Sequence, residues 1–541
     1  MDAENSTPLV PRRMSRRQAL WHTGAGIAAA GLATTGLTRA SAQSTPVAAS
    51  DDLAAAFERI LADPRFRSSR LGLHVVDRAT GDVIVDMRGN EWFLAGSSTK
   101  LWPGSAALDI LGADHRFETP VYRTAAIGAD GTLDGDLILV ASGDPTMGGR
   151  DTPDGTIDYP TIDHTYAYVF PDLVELTPED PLAGLDDLAG QISAAGITRI
   201  TGEVIIDDRL FPALPKDQYI LTPIWINDNL IDLSLTPGKV GEAATLEWRP
   251  MTAAYDVTAK VSTIAAGGTA EIEVTSPEPG RIVISGTLPA DSPHYVAAYQ
   301  VETPSDFART LLIEALTRAG VTVDAAATGP NPVDRLPASG SYADADQVAL
   351  HRSLPFSENL KLIWKCSHNQ HADMLVMLMA AAQGSTEFAD GMQAIGAFLD
   401  RAGIDRSLVS LGDGRGNTFS DLFSPRIITS LLAYLETRPD FDVAFAALPG
   451  LGVDGAEVVT VPLTSPLVGK AFAKSGTSTA FDEMNQRLLL MARELAGFMT
   501  GKSGREVIFG LYLNNVPLDG TDLFSVITTH GQLLEAVFER V

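Results

Sequence analysis

Ser97 and Lys100 are the first residues of this chain whose types and spacing could do chemistry. The chain has nine lysines, and Lys100 is the one with a serine three positions before it. On a helix, three residues turn a side chain by about 300°, so the hydroxyl and the amine lie on one face within reach of each other. A desolvated, neutral amine placed there can take the hydroxyl proton and leave an activated nucleophile. A helix that starts with a serine and carries a surface lysine gives the same spacing, so the pair needs company. Two further motifs supply it, each in two copies. Ser-x-Asn occurs as Ser357-Glu358-Asn359 and as Ser367-His368-Asn369. Ten residues of helix would separate the copies by about 80° modulo full turns, so both cannot face one cleft equally. Lys-Ser-Gly occurs as Lys474-Ser475-Gly476 and as Lys502-Ser503-Gly504. The second lies in a short polar stretch between the apolar runs LAGFM and EVIFGLYL, where a hairpin turn is the plain explanation.

Serine acyl transfer of the penicillin-binding and β-lactamase kind needs Ser-x-x-Lys, then Ser-x-Asn, then Lys-Thr/Ser-Gly, in that order. Ser97, Lys100, Ser367, Asn369 and Lys474 meet that requirement. With them chosen, other segments fall into place: AGSSTK, LDILGADHRFET, GDLILVASGDPT, ITGEVIIDD, WKCSHN, LGDGRGN, LPGLGVDG, AKSGT and GLYLNNVP. On these residues the chain resembles the D-alanyl-D-alanine carboxypeptidase/endopeptidase family of type-4, class C low-molecular-mass penicillin-binding proteins, almost end to end. It departs from the family's pattern at His368, where Asp is usual, and at Ser475, where Thr is commoner.

The resemblance implies an α+β fold: a penicillin-binding, serine β-lactamase-like catalytic domain, with an antiparallel sheet and a helical subdomain, interrupted by a β-rich accessory insertion. It implies a serine D-Ala-D-Ala carboxypeptidase, with DD-endopeptidase cleavage as a related activity, acting on peptidoglycan stem peptides through an acyl-enzyme on Ser97. Lys100 would be the base, Ser367 the proton relay, Asn369 a ligand of the acyl-side amide and Lys474 the local positive charge. Ser475 and Thr477 would receive the substrate carboxylate, with Gly476 between them in the substrate-binding segment, and β-lactams would be covalent inhibitors. No metal or cofactor is implied. A cell-wall peptide-binding protein without turnover, and a β-lactamase or esterase on the same fold, remain open as alternatives.

The elements that must position these residues can be read from periodicity. A helical start at 51–62 is followed by LGLHVVD and DVIVDM, which read as a hairpin around a Thr-Gly turn. From about 119 to 343 the texture changes to short β-type runs with one clear helix, 304–319, ended by Gly320. These residues are expected to shape access without carrying chemistry. Helical periodicity returns over 358–381 and 387–401, LAGFM and EVIFGLYLNN read as closing strands, and a last helix starts at Leu523. The expected division is 43–118 and 344–541 for the catalytic domain and 119–343 for the insertion. The Lys474-Ser475-Gly476 segment reads as an edge strand along which substrate backbone could pair. A loop over 478–494 is expected to overhang one end of the site. Pro103 should remove a hydrogen bond to the Thr99 carbonyl and could kink the helix that carries Lys100.

Composition sets the outer limits. The chain has 541 residues, enough for about three domains. Its net charge of −28 repels phosphate backbones, so nucleic acid is not an expected partner. One cysteine, Cys366, permits no intrachain disulfide and no Cys-based zinc site. His368 and His371 lack the flanks of His-Glu-x-x-His and read as core or surface histidines. Residues 1–42 carry Arg12, Arg13, Arg16 and Arg17, an apolar run, and Ala40-Ser41-Ala42. They resemble a twin-arginine export signal, cleaved after Ala42, which would place the mature protein outside the cytoplasmic membrane.

Overall fold

The computed structural model describes residues 51–518 and 523–541, so the export signal expected over residues 1–42 lies outside the described residues. A five-stranded antiparallel sheet is formed by β1 (Arg70–Asp77), β2 (Val83–Met87), β3 (Ala471–Asp482), β4 (Arg487–Thr500) and β5 (Glu506–Leu518). Their order is β2-β1-β5-β4-β3, which leaves β3 on the edge. The helices are α1 (Asp51–Ile60), α2 (Leu101–Ile110), α3 (Ala183–Ala194), α4 (Pro304–Arg318), α5 (Phe356–Lys365), α6 (Asn369–Ala381), α7 (Phe388–Arg401), α8 (Pro425–Glu436), α9 (Phe441–Ala447) and α10 (Leu523–Phe538).

β5 shows why its sequence is an almost unbroken apolar run. Successive side chains of a strand point to opposite faces. Val507, Phe509 and Leu511 join Leu53 and Phe57 of α1 and Leu533 and Val537 of α10 in one core. Ile508 and Tyr512 join Trp102 of α2, Trp364 of α5, Phe398 of α7 and Leu431 of α8 in another. Helices cover both faces, so neither set of alternating residues can be polar.

Residues 121–349 contribute a separate core, with Val121, Leu139, Leu188, Ile206, Ile284 and Leu312 among its members. The chain enters this region along strand Glu118–Arg123 and returns along Gln347–Arg352, and the two pair antiparallel with His351 opposite Thr119. The region is richer in helix than expected. Besides α4 it contains α3, whose Leu185, Leu188, Ala189 and Ile192 are buried at helical spacing. The Gly and Asp residues between them mask that period in the sequence.

Other expectations are corrected near the site. The helix expected over 358–381 is two helices, because Ser367 takes a left-handed backbone conformation (φ 62°) and breaks the hydrogen-bond ladder. His368 restarts it as the N-cap of α6, its Nδ1 accepting the His371 N–H at 3.2 Å. Residues 478–494 form no overhanging loop. β3 and β4 stay paired from Ala471 opposite Met499 to Asp482 opposite Arg487, with one register shift after Ser478. The far end of this hairpin is retained by a small core of Leu490, Leu513, Val516 and Phe66. Pro103 does not displace Lys100. Residues Gly96–Lys100 form a 3₁₀ turn and α2 begins after them, which puts Pro103 in the first turn of that helix. A missing N–H is tolerated there, because first-turn amides have no intrahelical partner.

Trp364 ties this turn to the helical body: it is fully buried, and its Nε1–H donates to the Lys100 carbonyl at 3.0 Å. Trp364→Ala is therefore expected to lower unfolding stability by about 3–5 kcal/mol, the usual cost of emptying a large aromatic site. A denaturant midpoint within error of the parent would show that α5 does not support α2.

Candidate active site

The 3₁₀ turn that carries Ser97 and Lys100 brings their side chains closer than an α-helix would, since residues i and i+3 eclipse in that geometry. Ser97 Oγ lies 2.7 Å from Lys100 Nζ. Ser97 is partly open to solvent, whereas Lys100 is fully buried. Two more groups reach the amine: Asn369 Oδ1 at 2.7 Å and the Arg415 carbonyl at 2.9 Å. Both can only accept hydrogen bonds. A neutral amine has two hydrogens and one lone pair. With both hydrogens given to Asn369 and Arg415, the lone pair faces the Ser97 hydroxyl.

The surroundings favour that neutral form. Burial pushes the Lys100 amine well below its ordinary value, and the Lys474 and Arg415 cations push the same way against the opposing carboxylates of Asp413 and Asp373. Lys474 is also fully buried. Its Nζ donates to Ser367 Oγ at 3.0 Å and to the Ser475 carbonyl at 2.6 Å. Burial lowers Lys474 to about 8, with the Glu457 and Glu494 carboxylates opposing and Arg493 reinforcing.

Three backbone segments must converge for these contacts to form, and glycines permit it. A Cβ on Gly416 would lie 1.8 Å from the Gly96 carbonyl, and one on Gly476 would lie 2.0 Å from the Ala95 carbonyl. The first glycine presses the 413–417 turn, and the second presses β3, against the segment leading into Ser97. The 413–417 turn is wound around Asp413, whose Oδ1 accepts the Arg415 and Gly416 N–H groups at 3.0 and 2.6 Å. That winding turns the Arg415 carbonyl toward Lys100.

All the residues singled out in the sequence meet here: Ser97, Lys100, Ser367, Asn369 and Lys474 through side chains, and Ser475, Gly476 and Thr477 along edge strand β3. The second copies do not. The Ser357 amide donates to the Ala113 carbonyl, and Asn359 is buried inside the helical body. Lys502 pairs with Glu539 at a surface turn. His368 is fully buried, stacked on His371 with ring centroids 3.6 Å apart.

Sequence reasoning missed the supports supplied by residues 119–343. The Tyr166 hydroxyl donates to the Ser367 carbonyl at 2.6 Å. Tyr219 donates to Asp373, and Arg415 Nη2 donates to Asp217 at 2.7 Å. Asp228 lies 2.7 Å from His371 Nε2 and 2.8 Å from His164 Nε2. Burial disfavours a charged His164, but the Asp232 and Asp163 carboxylates outweigh it and raise the imidazole to about 10. His371 is pushed down to about 4 by burial and by His368. Residues 119–343 thus contribute no side chain that touches Ser97 or Lys100 among the described contacts, yet Tyr166 fixes the turn that holds Ser367. Asp228 with His368 and His371, and Asp163 with His164 and Asp228, are close enough to hold a metal ion. The Arg150 guanidinium already bridges Asp163 and Asp228 at 2.7 and 3.0 Å, which supplies the positive charge there.

A family model described as the D-Ala-D-Ala carboxypeptidase 3 (S13) family matches residues 53–536. The chain is 27% identical to a D-alanyl-D-alanine carboxypeptidase of Actinomadura sp. (strain R39), over 84% of this chain and 80% of that one. It is 24% identical to the D-alanyl-D-alanine carboxypeptidase DacB of Haemophilus influenzae, over 82% and 85% of the two chains. Its fold is similar to the crystal structure of penicillin binding protein 4 (dacB) from Haemophilus influenzae, with a TM-score of 0.66 at 21% identity, covering 90% of this chain and 99% of that one.

The two Ser-x-Asn copies give a direct test of the geometry. Ser367→Ala should slow acylation of Ser97 by at least about a hundredfold, the usual range for a lost proton-transfer group. Ser357→Ala should leave it within about twofold. Rates of covalent labelling by a fluorescent β-lactam measure both, and the reverse order would mean that the wrong copy was assigned.

Proposed function

As the chain belongs to the D-Ala-D-Ala carboxypeptidase 3 (S13) family, we propose that it is a serine D-Ala-D-Ala carboxypeptidase acting on peptidoglycan stem peptides, with Ser97 as the nucleophile. The observation that carries this reading is the hydrogen-bond arrangement at Lys100: two obligate acceptors and one hydroxyl around a buried amine. A protein that only bound peptide would have no use for a lysine kept uncharged against a serine.

In this reading the Ser97 hydroxyl gives its proton to Lys100 as Oγ attacks the carbonyl of the penultimate D-Ala. The N–H groups of Ser97 and Thr477 stabilise the oxyanion, a contribution of about 10²–10³ in rate per donor. Ser367, held by Lys474, relays the proton from Lys100 to the leaving amine, so the terminal D-Ala departs and Lys100 and Ser367 both return to their starting protonation states. Asn369 holds the acyl-side amide, and Ser475, Gly476 and Thr477 receive the terminal residue along β3. Water then attacks the acyl-enzyme and regenerates Ser97, with no change of oxidation state at any step. The same hydroxyl opens a β-lactam ring, so penicillins act as covalent inhibitors. Cleavage of D-Ala cross-links would follow the same steps.

Cell-wall chemistry places the enzyme outside the cytoplasmic membrane. Export through the twin-arginine pathway with cleavage after Ala42 completes the reading, as does the division into a catalytic domain of residues 43–118 and 344–541 and an accessory insertion of 119–343. Antiparallel pairing of strands Glu118–Arg123 and Gln347–Arg352 supports that division.

Two measurements test this function. Intact-mass spectrometry after incubation with penicillin should show one adduct, mapping to Ser97 and absent in Ser97→Ala; an adduct on the mutant would remove the assignment. The rate of acylation should be bell-shaped in pH. Its rising limb, from loss of the Lys100 proton, should lie well below the free-lysine value of about 10.4. Its falling limb should lie near pH 8, where Lys474 loses its charge. Lys474→Ala should abolish the falling limb and move the rising limb to higher pH, because a neighbouring cation that disfavours charged Lys100 is gone. A parent profile that climbs to about 10.4 would contradict the neutral-base mechanism.

A further inference from the structure

Edge strand β3 can take a substrate backbone along only part of its length, because its first residues are already covered. The Ala473 N–H donates to the Pro449 carbonyl at 3.0 Å, the Leu451 N–H donates to the Ala471 carbonyl at 3.0 Å, and Gly450 bridges Phe472. Backbone groups of a strand alternate sides with a period of two, so Ser475 and Thr477 turn to the same outer edge as Ala471 and Ala473. The free edge therefore begins at Ser475. A peptide whose terminal residue lies there has residues 449–451 ahead of it, and the rest of its chain must run past Thr477 toward Asp482.

A compact loop stands at that other end. Residues 162–176 are closed at the neck by the Glu175 N–H, which donates to the Ile162 carbonyl at 3.2 Å. The loop packs Ala167 and Val174 against Val296, whose N–H donates to the Pro171 carbonyl at 2.9 Å. Its turn is bonded internally, the Tyr166 carbonyl accepting from the Val169 and Phe170 N–H groups at 2.9 and 3.0 Å. Loops closed and packed in this way are frequently functional. Two side chains of this one reach different walls of the site. Tyr166 meets the Ser367 carbonyl, and Lys474 of β3 holds the Ser367 hydroxyl. Phe170 meets Phe524 of α10, with ring centroids 6.5 Å apart and planes at 51°. Phe524 follows Leu523, which packs on the small core of Leu490, Val516 and Leu518 at the far end of the sheet. In register, Leu518 lies opposite Leu488, and Leu488 opposite Phe481. The loop therefore reaches from the level of Lys474 to the level of Phe481 along β3.

We infer that the contact of Phe170 with Phe524 closes the far end of the substrate groove and sets the length of acyl donor that the site accepts. The inference rests on the carboxypeptidase reading above and adds to it a limit on the donor. The edge from Thr477 to Phe481 is about 14 Å long at about 3.4 Å per residue, room for about four donor residues. A stem peptide with a free or acetylated N-terminus fits within it. A stem still joined to sugar continues beyond it, and must either part the two rings or leave the strand early. Phe170 is half-buried and Phe524 is 42% exposed, so the rings can part without opening a core. The limit is thus a preference for sugar-free stems and not an absolute bar.

The test measures D-Ala release by the full chain from two donors: an N-acetylated stem pentapeptide ending in D-Ala-D-Ala, and the same pentapeptide with a muramyl disaccharide on its N-terminus. The parent should have the higher kcat/KM on the acetylated donor. Phe170→Ala and Phe524→Ala should each raise the sugar-to-acetyl ratio of kcat/KM by roughly two- to tenfold, the factor that one aromatic pair supplies. Both should leave penicillin acylation within about twofold of the parent. The double variant should add less than about twofold to either single one, because both remove the same contact. Phe524→Ala removes an exposed ring and keeps the test open if Phe170→Ala does not fold. A parent that uses both donors equally, a ratio that stays or falls in the folded variants, or two effects that multiply independently overturns the length limit alone. A parent that acylates with penicillin but releases D-Ala from neither donor overturns the carboxypeptidase reading, and this inference with it.

Discussion

A lysine must stay uncharged inside protein, and much of this structure can be understood as the means of keeping it so. An isolated ammonium at the buried Lys100 position would pay a desolvation cost of several kcal/mol, so the amine sheds its proton instead. Burial alone would leave the neutral amine free to turn. The Asn369 side chain and the Arg415 carbonyl remove that freedom by claiming both hydrogens, and the remaining lone pair meets Ser97. Lys474 plays the complementary part. It sits close enough to oppose a second charge at Lys100, while Glu457 and Glu494 help it keep its own.

The three groups around Lys100 come from three separate places in the chain, and each is held by a different device. The Ser97 turn is short and tight, so the serine and lysine eclipse. Asn369 is the first residue of α6, and its position follows from the left-handed Ser367 and the His368 cap. The Arg415 carbonyl follows from the winding of its turn around Asp413, pressed inward at Gly416. Residues between the first and second motifs act at one remove: Tyr166, Tyr219, Asp217 and Asp228 pin the supports of the site from outside.

What the sequence disclosed follows from what kind of information each feature needs. Side chains with a reactive type and a fixed local spacing were legible: Ser97 with Lys100, Ser367 with Asn369, and Lys474 ahead of Ser475 and Gly476. So were the sheet strands, because β5 is buried on both faces and shows it as a continuous apolar run. The Arg415 carbonyl was not legible, since a backbone atom has no residue type and its direction is set by Asp413. The break between α5 and α6 was masked because Cys366, Ser367 and His368 do not interrupt helical periodicity, and the contacts that favour the break come from Tyr166 and Asp228, far away in sequence. Helix α3 was masked by Gly and Asp residues that tertiary packing overrides. Residues 478–494 looked like a loop because the stretch from Thr477 to LAGFM is longer than a tight hairpin needs, and the cross-strand pairing that fills it depends on register rather than on residue type.

The protonation state of Lys100 is the centre of this account, and it can be observed without turnover. Protein carrying lysine labelled with ¹³C at the ε-carbon gives signals whose shifts report ammonium against amine, and comparison with Lys100→Arg assigns the one that matters. The account predicts a Lys100 signal already in the amine form near neutral pH, titrating well below the exposed lysines. A Lys100 signal that remains in the ammonium form until about pH 10.4, together with the surface lysines, would contradict it.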